Sequence, residues 1–295
     1  MRAATQASAH APTSRRDAMP EHLPLALRLP CEVFRSAEAF RAFRRAQADL
    51  LDARYGRERA LGSREALLRL DGTCGLCLAV TRFDSATAGG ETTPDGRLVP
   101  NWREQQRCGC VHRLGCRERA LLHLAAPHLG ARGWFRAVLL GEPGGLGRAL
   151  AARLDGVALW PRLSASPGTP ASPSALRLPA PDAALHMLLC PDHLHHVPAL
   201  DAALAEVARV LSPGGTLLFT APLHVDAEAT VSDFSRLPRR AGALPAYCAE
   251  PVHRIGWDIL ERVRAAGFVD CAAHCYWSEE LGYLGPFNMI FLASR

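Results

Sequence analysis

The sequence predicts an α/β fold: a mostly parallel sheet covered by helices over residues 131–295, preceded by a small cysteine-rich module. Three observations predict it. From Arg136 onward, short apolar runs alternate with stretches of helical period, and that alternation calls for parallel strands joined by crossover helices. Five of the ten cysteines fall between residues 74 and 116, in a loop-rich stretch that reads as a module and not as a core. Hydrophobic residues make up 48% of the 295-residue chain, ample for a sizeable core.

Taken in order, residues 1–35 read as a disordered tail. Arg2, Arg15 and Arg16 stand among alanines and serines without an apolar segment leading to a cleavage site, so a secretory signal is not expected. Residues 36–130 read as a helical and cysteine-rich region. Ser36 is a fitting N-cap with Glu38 in the first turn, and Phe40, Phe43, Leu50 and Leu51 recur at helical spacing, predicting one or two amphipathic helices. The cysteine region runs from Asp71 to about Leu124, is broken by a Gly- and Thr-rich loop at 86–96, and closes in a helix over 115–126. Beyond it the pattern predicts strands at 137–140, 157–160, 185–190 and 216–222, with helices at 146–154 and 199–211. A helix at 253–266 and strands at 269–277 and 287–293 complete the domain, and the Pro- and Ser-rich stretch 161–173 reads as an exposed loop.

Composition excludes several classes. The apolar runs are strand-sized, far short of the roughly 20 residues that span a bilayer, so neither a transmembrane segment nor a membrane partner is expected. The net charge of +5 is spread over the chain, and the basic residues are arginines. The densest basic stretch, Arg103 to Arg119, coincides with the cysteine group and reads either as an anion binder or as a solvated face; nucleic acid is not the favoured partner. Cysteines in a chain of this size without a signal point to a reducing cytoplasm, where clustered thiols suggest metal. Cys31, Cys190, Cys248, Cys271 and Cys275 stand apart and read as buried structural thiols.

The most informative segment runs from Leu185 to Pro222, LHMLLCPDHLHHVPALDAALAEVARVLSPGGTLLFTAP. It reads as an apolar strand, a polar loop, a helix with Leu200, Leu204, Val207 and Leu211 on one face, a Ser-Pro-Gly-Gly stop and a second apolar strand. This pattern resembles the class I S-adenosylmethionine-dependent methyltransferases of the type 11-like group. Pro251 to Phe268 is similar to the family's late helix, and Gly282 to Leu292 to its closing strand. Upstream, Asn101-Trp102-Arg103-Glu104, Cys108 and Arg117-Glu118-Arg119-Ala120 resemble a subgroup with an N-terminal, zinc-ribbon-like cysteine segment. The resemblance implies a Rossmann-like methyltransferase fold with a seven-stranded-type sheet, here with a shortened middle, and S-adenosylmethionine as cofactor.

Such a fold places its ligand outside the carboxyl ends of the strands, which brings three loops into one crevice. The first is Gly141-Glu142-Pro143-Gly144-Gly145-Leu146-Gly147, with Glu142, Gly144, Gly145 and Gly147 as cofactor candidates. The second is the end of the next strand, where Trp160 stands in place of the carboxylate that the family sets on the ribose; it is read either as stacking on adenine or as core. The third is Pro191 to His196, where Asp192 and His193 are cofactor candidates. His195 and His196 are candidates for substrate positioning or general base work, because a neutral imidazole can accept a proton near neutral pH.

Cys74-Gly75-Leu76-Cys77 has the spacing of a metal knuckle, whose two thiolates can reach one tetrahedral zinc. Cys108 is the expected third ligand and the fourth is Cys110 or His112, with Cys116 behind them. The functional expectation is therefore an S-adenosylmethionine-dependent methyltransferase with a structural zinc and a small-molecule or carrier-bound substrate. The alternative is a non-catalytic binding or scaffold protein that keeps the fold.

Overall fold

The computed structural model describes residues 28–110, 112–129, 135–141, 144–151, 157–160, 177–235 and 247–295. Its strands are β1 (Cys31–Phe34), β2 (Leu67–Cys74), β3 (Ala79–Ala86), β4 (Glu91–Thr92), β5 (Leu98–Val99), β6 (Gln106–Cys108), β7 (Ala137–Leu140), β8 (Val157–Trp160), β9 (Leu185–Pro191), β10 (Leu211–Thr220), β11 (Val231–Ser232), β12 (His253–Arg254), β13 (Asp270–Ser278) and β14 (Tyr283–Ser294). The helices are α1 (Ala37–Ala46), α2 (Ala48–Ala60), α3 (Trp102–Gln105), α4 (Cys116–Ala125), α5 (Gly145–Ala151), α6 (Leu200–Val210) and α7 (Ile259–Ala265).

Among the described residues, seven strands form the central sheet in the order β1-β13-β14-β10-β9-β7-β8. The pairs β7–β8, β7–β9 and β9–β10 are parallel, while β14 runs antiparallel to both of its neighbours and β1 runs antiparallel to β13. The result is the Rossmann-like methyltransferase fold that the sequence predicts, a mostly parallel sheet clothed by helices. Within the stretch expected to be a tail, residues 31–34 form β1, and the alternation of Cys31 to Phe34 lets Phe34 point inward onto Phe40 of α1.

Both faces of the sheet are buried, which is why its strands are continuous apolar runs and do not alternate. Successive residues part to opposite sides. Val138, Leu140, Leu188, Leu217 and Phe219 face α6, α7 and α1. Ala137, Leu139, Met187, Leu189 and Leu218 face α4 and α5. The second core thus includes Cys74, Phe83, Cys108 and Leu114 of the cysteine module beside Leu146 and Leu150 of α5.

Local chemistry sets the ends. Ser36 caps α1, its Oγ accepting from Ala39 N at 3.1 Å. Between α6 and the apolar half of β10, Gly214 takes φ +75, a conformation costly for a residue with a Cβ, and the β9–β10 register shifts between Leu211 and Thr216. The late helix expected at 253–266 begins only at Ile259, because His253 and Arg254 pair with β11 as β12.

The module is a three-stranded antiparallel sheet, β2-β3-β6, followed by α4. Arg119 of α4 fastens it to the central sheet. Fully buried, it donates to the carbonyls of Leu281 and Gly282 at 2.7 and 2.6 Å and to Gln106 Oε1 at 3.1 Å, and lies over the rings of Phe83 and Tyr283. Among the described residues, no helix is long and apolar enough to cross a membrane.

Candidate functional site at the carboxyl edge of the sheet

The loops after β7 and β9 lie side by side. Gly141 has φ +141, a region open to glycine, and a Cβ built there would sit 3.9 Å from Pro191 Cγ. Glu142 lies outside the described residues, as does the side chain of Trp160, whose backbone ends β8. Gly144 is exposed just before α5, and Gly147 is buried within it. Gly145 faces the module: a Cβ there would meet the carbonyl oxygen of His112 at 2.7 Å and Leu114 Cδ2 at 3.0 Å. The glycine at 145 therefore serves a close approach between the module's turn and the first turn of α5.

Asp192 opens the loop after β9 in the left-handed region, φ 44, which aspartate tolerates better than most residues. Its backbone N–H donates to Thr220 O and Oγ1, both at 3.0 Å, and Thr220 Oγ1 donates to its Oδ1 at 2.7 Å. Two guanidinium groups from the module close on the same carboxylate. Arg103 of α3 reaches Oδ1 at 2.6 Å and Arg117 of α4 reaches Oδ2 at 3.0 Å, and both also pair with Glu104. Burial pushes the Asp192 carboxyl up, but the charges of Arg103 and Arg117, with hydrogen bonds from Arg103 and Thr220, outweigh it and hold the group at about 2.

The histidine loop follows. His193 is buried and stacks on Tyr247 at 4.5 Å between ring centroids. His196 faces the same tyrosine at 5.3 Å, and its Nδ1 donates to the Cys248 carbonyl at 3.0 Å. Residues 248–253 strap this loop down: Cys248 N donates to His196 O, Val252 N to His195 O, and His253 Nε2 to Val197 O, each at 2.9 Å. His195 is buried, and among the described residues its Nδ1 has no hydrogen-bond partner. Burial pushes its pKa down to about 4 against the pull of Asp192, with His196, Arg103 and Arg117 reinforcing the fall, so the ring is neutral at pH 7.

The cysteines meet at one point. The sulfurs of Cys74, Cys77, Cys108 and Cys110 all lie within 4.8 Å of one another, with Cys74 and Cys77 at 3.4 Å. Four sulfurs at about 2.3 Å from a tetrahedral zinc would be about 3.8 Å apart, so the group has the right size and donor set. Between the two possible fourth ligands, Cys110 is in the group; His112 lies just beyond it in the turn held by Arg113 N to Cys110 O and Cys108 N to Leu114 O, both 3.0 Å. Cys116 points elsewhere, toward the Leu284 carbonyl.

A cavity of about 360 Å³ opens between the α1–α2 pair and the paired residues 275–277 of β13 and 285–287 of β14. Arg54, Tyr55, Glu58, Tyr276, Trp277 and Phe287 line it. Glu58 is buried, accepting from Trp277 Nε1 at 2.7 Å and Gly285 N at 2.9 Å, and Arg54 lies over the Trp277 ring at 4.9 Å. Burial raises the Glu58 carboxyl against those two hydrogen bonds and the charge of Arg54. No sequence pattern announces this cavity, and Arg103 and Arg117 were only half legible: their basic stretch was visible, its target was not.

The chain is similar in structure to an S-adenosylmethionine-dependent methyltransferase from Mesorhizobium loti, with 20% identity and a TM-score of 0.40 over 61% of this chain and 98% of that one. It is similar to a SAM-dependent methyltransferase from Archaeoglobus fulgidus, at 14% identity and 0.38 over 61% and 95%. A third likeness is to the Burkholderia thailandensis 1,6-didemethyltoxoflavin-N1-methyltransferase, solved with S-adenosylhomocysteine bound, at 20% and 0.35 over 61% and 78%. No curated protein matches the chain. By sequence, a model of the methyltransferase domain matches residues 158–219, the stretch from β8 to β10 that carries Asp192 and the histidine loop.

Proposed function

We propose that the protein is an S-adenosylmethionine-dependent methyltransferase acting on a small molecule, its cysteine module held by one structural zinc. One observation carries the reading. The glycine turn after β7 and the Asp192 loop after β9 abut at the carboxyl edge of a parallel sheet, Gly141 against Pro191, the place where such sheets bind ligands. The methyltransferase-domain match over 158–219 supports it.

The residues present fit the cofactor in two respects: a glycine turn that admits close backbone approach, and a neutral imidazole with an unpartnered Nδ1 beside an ionised carboxylate. When bound, the cofactor supplies an electrophilic methyl group, and the protein's part is to orient and desolvate. Gly141, Gly144 and Gly147 and the backbone at Asp192 and His193 would hold it, with Trp160 at the end of β8 beside them. His195 would take a proton from the acceptor at Nδ1, and His196, fixed by Cys248, would position the loop. Cys74, Cys77, Cys108 and Cys110 would hold the zinc.

The alternative, a binding protein that no longer catalyses, is favoured by one feature: the chain's own His112 carbonyl fills the space over Gly145. Calorimetric titration with S-adenosylhomocysteine separates the two. A Kd tighter than roughly 100 μM, about 5.5 kcal/mol, is expected of the enzyme; no detectable binding would reject it. Metal analysis should give close to one equivalent of zinc per chain, lost in Cys77→Ser.

A further inference from the structure

We propose that the cavity between α2 and the β13–β14 pair binds an aromatic carboxylic acid, its carboxylate on Arg54 and its ring among Tyr55, Trp277 and Phe287. No residue of the glycine turn, the Asp192 loop or the histidine loop lines this cavity. Arg54 is the decisive residue. Its guanidinium lies over the Trp277 ring at 4.9 Å, and its Nε is buried without a hydrogen-bond partner among the described residues. Its neighbours Arg44, Arg57 and Arg59 each reach an acid: Asp226 at 2.6 Å, Glu279 at 2.6 Å and Glu91 at 3.5 Å. Glu58 stands one turn beyond Arg54 on the same wall, yet among the described residues no ion pair joins the two. A cation preceding an anion at i and i+4 is the weaker order on a helix, and Glu58 is engaged elsewhere, its Oε1 accepting from Trp277 Nε1 and Gly285 N.

The wall holds Arg54 in place. Glu58 fixes the indole through its N–H and the indole face carries the guanidinium, so the donors are set before a ligand arrives. A buried donor without an acceptor is costly, and a carboxylate removes that cost because its two oxygens match the guanidinium fork. A cationic ligand fits poorly: it would meet Arg44 and Arg54, and two N–H groups already occupy the buried carboxyl. Burial pushes Glu58 up from its ordinary value, which lessens its repulsion of an incoming anion. The rest of the wall is largely apolar. Leu51, Tyr55, Trp277, Pro286 and Phe287 line it, and flat rings pack on such rings in offset or edge-on contact. A volume of about 360 Å³ lies at the small end of ligand pockets, which suits an acid of one or two rings.

The test titrates three probes into the intact protein by calorimetry: 2-naphthoate, the uncharged 2-naphthamide of the same shape, and acetate, which has the charge without the rings. The indole N–H resonance of Trp277, assigned by its loss in Trp277→Phe, reports where they bind. 2-Naphthoate is expected to bind at least about tenfold more tightly than either other probe, the margin that a charge-assisted fork supplies, and to shift that resonance. Arg54→Met keeps an unbranched stem over the indole and should erase the preference for acid over amide; Arg54→Lys, which lacks the fork, should restore only part of it. The probe series on the unaltered protein decides the matter even if a variant does not fold. A preference below about tenfold, no binding of 2-naphthoate by about 10 mM, an unmoved Trp277 resonance, or a preference that survives in folded Arg54→Met would overturn the site. None of these results touches the methyltransferase reading, which the S-adenosylhomocysteine titration tests by itself.

Discussion

Replacing Asp192 by asparagine isolates the ion cluster at the heart of the site. The substitution keeps the shape and one acceptor for Thr220 but removes the charge that Arg103 and Arg117 face. The carboxyl's ordinary value is 3.8, and in the fold it is held at about 2. A group held below its unfolded value stabilises the fold fully above that unfolded value and loses the contribution as pH falls through the folded one. The gap corresponds to roughly 2 kcal/mol at pH 7. At pH 3, where the unfolded chain is mostly protonated and the native one is not, roughly half of that remains. Asp192→Asn should therefore lower the unfolding free energy by about 2 kcal/mol at pH 7, and the gap to the unaltered protein should narrow by about half at pH 3. Urea unfolding at matched ionic strength measures both. A gap that stays constant from pH 7 to pH 3, or one under about 0.5 kcal/mol throughout, would refute the claim that the arginines hold this carboxylate ionised.

Three other outcomes are expected. Gly145→Ala should cost about 1–3 kcal/mol in stability by urea unfolding, since its Cβ would meet a backbone carbonyl at 2.7 Å; a neutral effect would mean that the module's turn is not seated there. Arg119→Met should cost about 3 kcal/mol or more, because two carbonyls and Gln106 lose a charged donor in a buried site, and thermal melting shows it directly. The His195 imidazole, followed by NMR across pH, should titrate near 4; a midpoint at the ordinary 6.5 would show that it is not buried in the fold as described.

Much of the fold was legible because parallel strands buried on both faces leave continuous apolar runs. The strand at 137–140 and the one at 157–160 were read to the residue, and α6 to within one. What escaped had weak local signals. The strand β1 is four residues long, and its partner β13 is more than 230 residues away, so nothing nearby in sequence announces it. His253 and Arg254 looked like the first turn of a helix because pairing with β11 is a tertiary event. In the cysteine cluster, the Cys74–Cys77 pair was evident from its spacing and Cys108 from the resemblance, whereas the joining of Cys110, and not His112, to that cluster depended on which way a turn folds. Asp192 was visible as a loop carboxylate; that two arginines some 75 and 89 residues upstream would reach it required the module to be laid over the sheet.

The order of strands also bears on how the chain is built. The last strand, β14, lies inside the sheet between β10 and β13, and the first, β1, forms its outer border on β13. During synthesis β1 emerges more than 230 residues before its partner β13, while the edge of β10 stays bare until β14 arrives. Exposed edges of this kind invite pairing with the wrong neighbour, and sheets closed by such distant contacts form slowly. Production in cells at reduced temperature, or with chaperones in excess, should therefore raise the yield of soluble chain.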